Sequence, residues 1–104
     1  VAKNIYYGGS LQNSSDKRLK KIIKPLDNCL EKLKLIKPVI YKRIDYENAL
    51  DEIGLIAQEV NESFPELVST DSRGYHCLDY ARLSAVLIQS VKELHQLLEK
   101  TSIN

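Results

Sequence analysis

Ser15 and Lys20 are the pair whose side chains could do covalent chemistry, because a neutral lysine amine can take the proton of a nearby serine hydroxyl and leave a nucleophile. An exposed lysine holds its proton at neutral pH, so the base must first be prepared by burial or by neighbouring positive charge. Lys17, Arg18, Lys21 and Lys24 are close enough in sequence to push Lys20 that way, and Asp16 opposes them. A serine five residues before a lysine is common by chance, and spacing alone favours a capping serine and a solvated lysine. The bond such a serine would cut is either Ser14-Ser15 or Ser15-Asp16: attack on its own preceding carbonyl closes a five-membered ring, and cutting after it needs a different approach.

The other polar candidates are weaker. His76 and Cys77 are adjacent, and neighbours on a strand point to opposite faces, which is poor for one metal ion. His95 is read as a polar edge position on a helix. Arg18 is suited to binding a carboxylate. Gln58 and Glu59 stand where a strand passes into a helix and are read as capping or interface residues, while Gly54 permits a close backbone approach. Cys29 and Cys77 have no CxxC spacing and are read as buried free thiols in a reducing compartment. No metal or cofactor is implied.

The elements that must position these residues fit one modest domain, since the chain has 104 residues. Lys plus Arg number 15 against 14 Asp plus Glu, a net charge of +1, which argues against a dedicated nucleic-acid binder. No apolar run approaches the roughly 18 residues of a membrane span, and nothing resembles a signal peptide. A chain starting at Val1 with no methionine reads as a segment of a longer protein.

Residues 1–14 read as a strand end, Ile5 to Tyr7, then a Gly8-Gly9 pair and a polar Ser10 to Ser14 linker. Pro25 forbids one continuous helix from Asp16 to Leu35. Asp27 or Asn28 can cap a short helix carrying Leu26, Cys29, Leu30, Leu33 and Ile36 on one face. Val39 to Ile44 reads as a strand and Asp45 to Asp51 as a loop. Ile53 to Phe64 reads as a strand passing into a helix that Pro65 ends. Asp71 to Gly74 makes the turn of a β-hairpin. One long helix follows, with Tyr80, Ser84, Leu87, Val91, Leu94 and Leu98 on a heptad seam; Leu83, Ile88 and Leu97 widen the stripe. The expected class is α+β, with short strands, a hairpin, small helices and one long C-terminal helix.

SDKRLKKII at Ser15 to Ile23, then PVIYKR, GLIAQEV at Gly54 to Val60, Pro65 and LDYARLSAVLIQSVKEL resemble the peptidase S74 family, typified by the C-terminal intramolecular chaperones of endosialidases and other phage tail-spike and tail-fibre proteins. The resemblance covers about residues 15 to 100 in matching order and spacing, and extends to the autocleaving domain of the myelin regulatory factor. It implies that Ser15, opening the SDxRxK motif, is the nucleophile and Lys20 the base, with Asp16, Arg18, Gly54, Gln58 and Glu59 supporting them.

The resemblance further implies a homotrimer joined through Leu87, Val91, Leu94 and Leu98 of the long helix. Three copies would align an upstream β-rich fibre or spike of the same polypeptide, ending in residues 1–14, and then cut themselves off beside Ser15. Nucleic acid and membrane are not expected partners. The setting implied is a virion tail precursor made in the host cytoplasm. Two other readings compete: a trimerisation module of the same fold that never cuts, and a small nucleic-acid or coiled-coil adaptor.

Overall fold

The computed structural model describes residues 4–7 and 10–102, with the backbone alone for residues 4–7, 10–13 and 102. Val1 to Lys3, the expected Gly8-Gly9 break and the last two residues lie outside the described residues. The chain is α+β, as the patterning predicts: strands pair only with their sequence neighbours, small helices intervene, and a long helix closes the chain.

β1 (Asn4–Tyr7) pairs antiparallel with β2 (Ser10–Asn13), Tyr7 facing Ser10 and Asn4 facing Asn13. Most of the stretch read as a linker is therefore strand, because a hairpin ladder is held by backbone groups that a polar run also carries. A single 3-10 turn, Lys17–Leu19, follows, and residues 20–28 carry no helix or strand. Helix thus stops well before Pro25: the β-branched Ile22 and Ile23 are poor helix formers, and the residue before a proline is driven to extended backbone.

α1 (Cys29–Leu33) has an N-terminus the sequence did not foretell. Asn28 sits in the left-handed region with φ 54° and its side chain makes no capping bond. The first amides of α1 instead donate to the carboxylate of Glu93, Cys29 N to Oε2 at 3.1 Å and Leu30 N to Oε1 at 2.9 Å. A five-residue helix cannot hold itself in water, and a carboxylate on its unsatisfied N–H groups is both a cap and a favourable charge for the helix dipole. Leu26, expected on its apolar face, lies before the helix and stays exposed.

β3 (Val39–Tyr41) pairs antiparallel with β4 (Glu52–Gly54), Ile40 opposite Ile53. α2 (Ala57–Ser63) follows and gives way at Pro65 to a second 3-10 turn, Pro65–Leu67. β5 (Val68–Thr70) and β6 (His76–Leu78) form the expected hairpin, its turn closed by Gly74 at φ 90° and by Asp71, which accepts from the amides of Arg73 and Tyr75. α3 (Leu83–Ser102) is the long helix.

The core gathers Cys29 and Ile36 around α1, Val60, Phe64 and Leu67 from α2 and the turn after it, and Val86 of α3. Leu33, Leu55, Val68, Leu78 and Leu83 pack around it. α3 presents Val86, Ser90 and Glu93 inward; Ser90 is buried and its hydroxyl donates to the Val86 carbonyl at 2.8 Å. The heptad seam lies on the other side, where Leu87, Val91, Leu94 and Leu98 are 49%, 64%, 47% and 60% exposed. Among the described residues no helix is long and apolar enough to cross a membrane.

Candidate functional site

Asp16 starts the 3-10 turn with extended backbone, and its carboxylate Oδ1 accepts the Arg18 amide at 2.8 Å. Leu19 N then donates to Asp16 O at 3.0 Å and Lys20 N to Lys17 O at 3.1 Å, after which the chain leaves extended at Lys20. This one tight turn reverses the chain between Ser15 and Lys20, so that Lys20 Nζ donates to Ser15 Oγ at 2.6 Å. The guanidinium of Arg18 forks onto Asp16, Nε to Oδ1 at 3.1 Å and Nη2 to Oδ2 at 2.9 Å. That fork, together with the backbone bond, holds the Asp16 carboxyl below its usual range and raises the Arg18 guanidinium. Ser14 to Lys20 are all exposed.

Ser14, Ser15 and Lys20 stand at one side of an open groove of about 540 Å³. Leu26, Phe64, Leu67 and Val86 supply apolar lining, and Glu66, Arg82 and Ser84 supply polar groups from the second 3-10 turn and the start of α3. Arg82 is held by Asp79, whose Oδ1 accepts the Arg82 amide at 3.0 Å while Oδ2 lies 3.4 Å from Nε. Ser84 is shared by this groove and by the heptad seam. Sequence reading gave Glu66, Phe64 and Arg82 no place near Ser15, since they reach it only through the packing of α2 and α3.

Gly54, Gln58 and Glu59 do not line that groove. Gly54 lies between two rings: a β-carbon there would be 2.7 Å from Tyr80 Oη and 2.9 Å from Tyr41 Cε1. Tyr80 cannot simply move away, because its hydroxyl accepts Leu55 N at 2.9 Å. Tyr41 has its hydroxyl pushed up, first by burial and then by Glu52. Glu59 Oε1 accepts Lys37 N at 3.0 Å and so ties α2 to the bend before Pro38; Gln58 is exposed. Gly54 does border a second, apolar groove of about 560 Å³ that also takes in Leu33, Pro38, Tyr80 and, from the heptad seam, Leu87.

Cys29 is buried, and burial pushes its thiol up; Cys77 is exposed, contrary to the expectation of two buried thiols, because β6 turns it out of the hairpin. His76 Nδ1 lies 3.2 Å from Thr70 Oγ1 across the same hairpin, and His95 Nε2 lies 3.2 Å from Glu99 Oε1 one turn along α3. Among the described residues no three side chains of His, Cys, Asp or Glu are grouped to hold a metal ion.

Glu93 is the structural residue the sequence reading missed. Its signal is an acidic side chain seven residues after Val86 and three after Ser90, on the buried stripe rather than the solvent face.

Residues 15–69, from the serine of the turn to the hairpin, match the family model described as "Chaperone of endosialidase". The chain is also similar to the long tail fiber protein Gp37 of Enterobacteria phage K3, at 36% identity over 87 residues, covering 77% of this chain and 7% of that protein. The Gp37 protein of Enterobacteria phage T2 matches at the same 36% identity, with 6% of its length covered. The chain therefore spans less than a tenth of the length of these relatives.

Proposed function

The chain belongs to the chaperone-of-endosialidase family, and from that membership we propose that it drives assembly of an upstream fibre or spike segment as a homotrimer and then severs itself beside Ser15. Residues 15–104 would be the chaperone and residues 1–14 the end of its cargo. A neutral Lys20 takes the Ser15 hydroxyl proton, the oxygen attacks the carbonyl of the scissile peptide, and the lysine returns the proton to the departing amine. Water then hydrolyses the ester. For Ser14-Ser15 the attack closes a five-membered ring and the departing amine is Ser15's own. Cutting Ser15-Asp16 would need the hydroxyl of another copy, because attack by Ser15 on its own carbonyl closes a four-membered ring.

The observation that carries this reading is the 2.6 Å contact of Lys20 Nζ with Ser15 Oγ, at the serine where the family match begins. In the single chain both groups face water, whereas proton transfer of this kind belongs in a site that water is kept out of. Assembly supplies what is missing: copies docked on the exposed seam of α3 run past Ser84, and so past the groove that Ser15 and Lys20 border. The monomer is inert on this account. Cleavage follows trimerisation, which is the order an assembly aid needs.

The test is to express the chain with its upstream segment as wild type, Ser15→Ala and Lys20→Ala, and to compare fragments by denaturing gel and mass. Cleavage in wild type alone is expected, and a wild type that stays full length sinks the peptidase reading. The exposure of Ser15 and Lys20 favours one alternative, a trimerisation module that never cuts. It predicts trimers by sedimentation with no fragment in any of the three.

A further inference from the structure

Asp16 is a hazard to the chemistry proposed for its neighbours. Its Cα is about 3.8 Å from that of Ser15, and Ser15 Oγ touches the Lys20 amine. A free carboxylate there would pair with the ammonium and hold it charged. We propose that Arg18 is a positioning residue that occupies the Asp16 carboxylate and keeps that charge off Lys20, so that the amine can release its proton; this rests on Ser15 and Lys20 being nucleophile and base.

Both carboxylate oxygens of Asp16 are engaged by Arg18: Oδ1 accepts its amide and Nε, and Oδ2 accepts Nη2. The planar guanidinium makes that fork, and a lysine at the same place would put one bond where the guanidinium puts two. The pair is exposed, and such surface ion pairs add little to fold stability. Its effect falls instead on which cation the carboxylate serves. Other charges face the groove, namely Glu66 from the second 3-10 turn and Arg82, just before α3, with its partner Asp79, and Lys17 and Lys21 flank in sequence. These are unchanged by substitutions at positions 16 and 18: Arg18→Gln removes one positive charge and unmasks the Asp16 carboxylate, and the double variant removes both charges.

At a separation of about 6 Å, one released negative charge is worth between about half a pH unit in water and about two near a protein surface in the titration of an ammonium. Arg18→Gln in the full chain is expected to move the rising limb of the cleavage-rate profile up by about one unit, slowing cleavage about tenfold below the limb, with melting temperature unchanged. Arg18→Lys should move it less. Asp16→Asn combined with Arg18→Gln keeps an oxygen to cap the turn but removes the charge, and should bring the limb back. A second readout needs no cleavage: in the uncut Ser15→Ala chain, the Lys20 ε-methylene NMR shift is followed against pH in the same backgrounds. A profile and a titration that stay put in Arg18→Gln overturn the proposal, as does a double variant displaced as far as the single one. A wild type that fails to cut while the Lys20 titration moves as stated removes the peptidase reading and leaves the charge role standing.

Discussion

The turn from Ser15 to Lys20 and the junction of α1 with α3 are built on opposite plans. In the turn, each bond joins residues no more than five apart, and every side chain is exposed. At the junction, Glu93 reaches back 63 and 64 residues to Leu30 and Cys29, over a core where Cys29 and Val60 are wholly buried. Local bonding gives the turn its geometry cheaply, but leaves it in water. The junction has the opposite balance: its environment is sealed, and its shape exists only when distant parts of the chain have met. On the proposed function, Ser15 and Lys20 have their aim before they have their surroundings, and other copies would supply the surroundings.

The sharpest way to break that contrast is to deny the turn its neighbours. Val91→Asp with Leu94→Asp charges the exposed seam of α3 and leaves Val86, Ser90 and Glu93 in place. Cleavage should fall by about a hundredfold or more, with sedimentation showing monomer and circular dichroism showing the helix retained. A monomer cutting at the normal rate would mean the turn is sufficient by itself. Next in size is a cut into the sealed region: Phe64→Ala should cost about 3–5 kcal/mol in urea unfolding, whereas Ser15→Ala should change stability by less than about 0.5 kcal/mol. Equal losses would remove the distinction between the two regions.

Gly54→Ala tests the tightest point of the body and should cost about 1–3 kcal/mol, since the added methyl meets two tyrosine rings, one of them pinned to Leu55 N. The smallest effect is electrostatic. Glu93→Gln should lower the melting temperature by roughly 5 °C, as a helix cap of ordinary strength is weakened. The bonds from Leu30 N and Cys29 N, in that order, hold the Glu93 carboxyl below its ordinary value of 4.5. A carboxyl depressed in the folded state contributes fully above its unfolded value and loses that contribution as pH falls through its folded one. The wild type should therefore lose stability below about pH 4.5 more steeply than Glu93→Gln, as acid titrations of urea midpoints would show.

What could be read in the sequence follows the same division. Pro65, the Asp71 to Gly74 turn and the seam of α3 are local signals, and the helix end and hairpin stand where they predict. The long helix begins at Leu83 and leaves Tyr80, read as the first seam residue, in the turn before it with its hydroxyl on Leu55 N. The meeting of Ser15 with Lys20 depends on five intervening positions, and the spacing alone could not select it from chance. Asp27 and Asn28 offered a plausible cap for α1, yet the bonds come from Glu93, which no local rule could choose. Which side of α3 faces inward was equally hidden: the heptad picked out Leu87 and Val91, while the chain's own core takes Val86 and Ser90. Cys77 was misjudged because β6 turns Leu78 to the core, and the neighbouring position on a strand then faces solvent.

Among the described residues, the ladders β1-β2, β3-β4 and β5-β6 each join strands adjacent in the chain, and none crosses to another. Short separations between paired residues shorten the search for each hairpin, and α3 is local along its whole length. These pieces can form early, before the core that joins Cys29 and Leu30 to Glu93 has closed. The seam of α3 is then on offer before the body behind it is sealed.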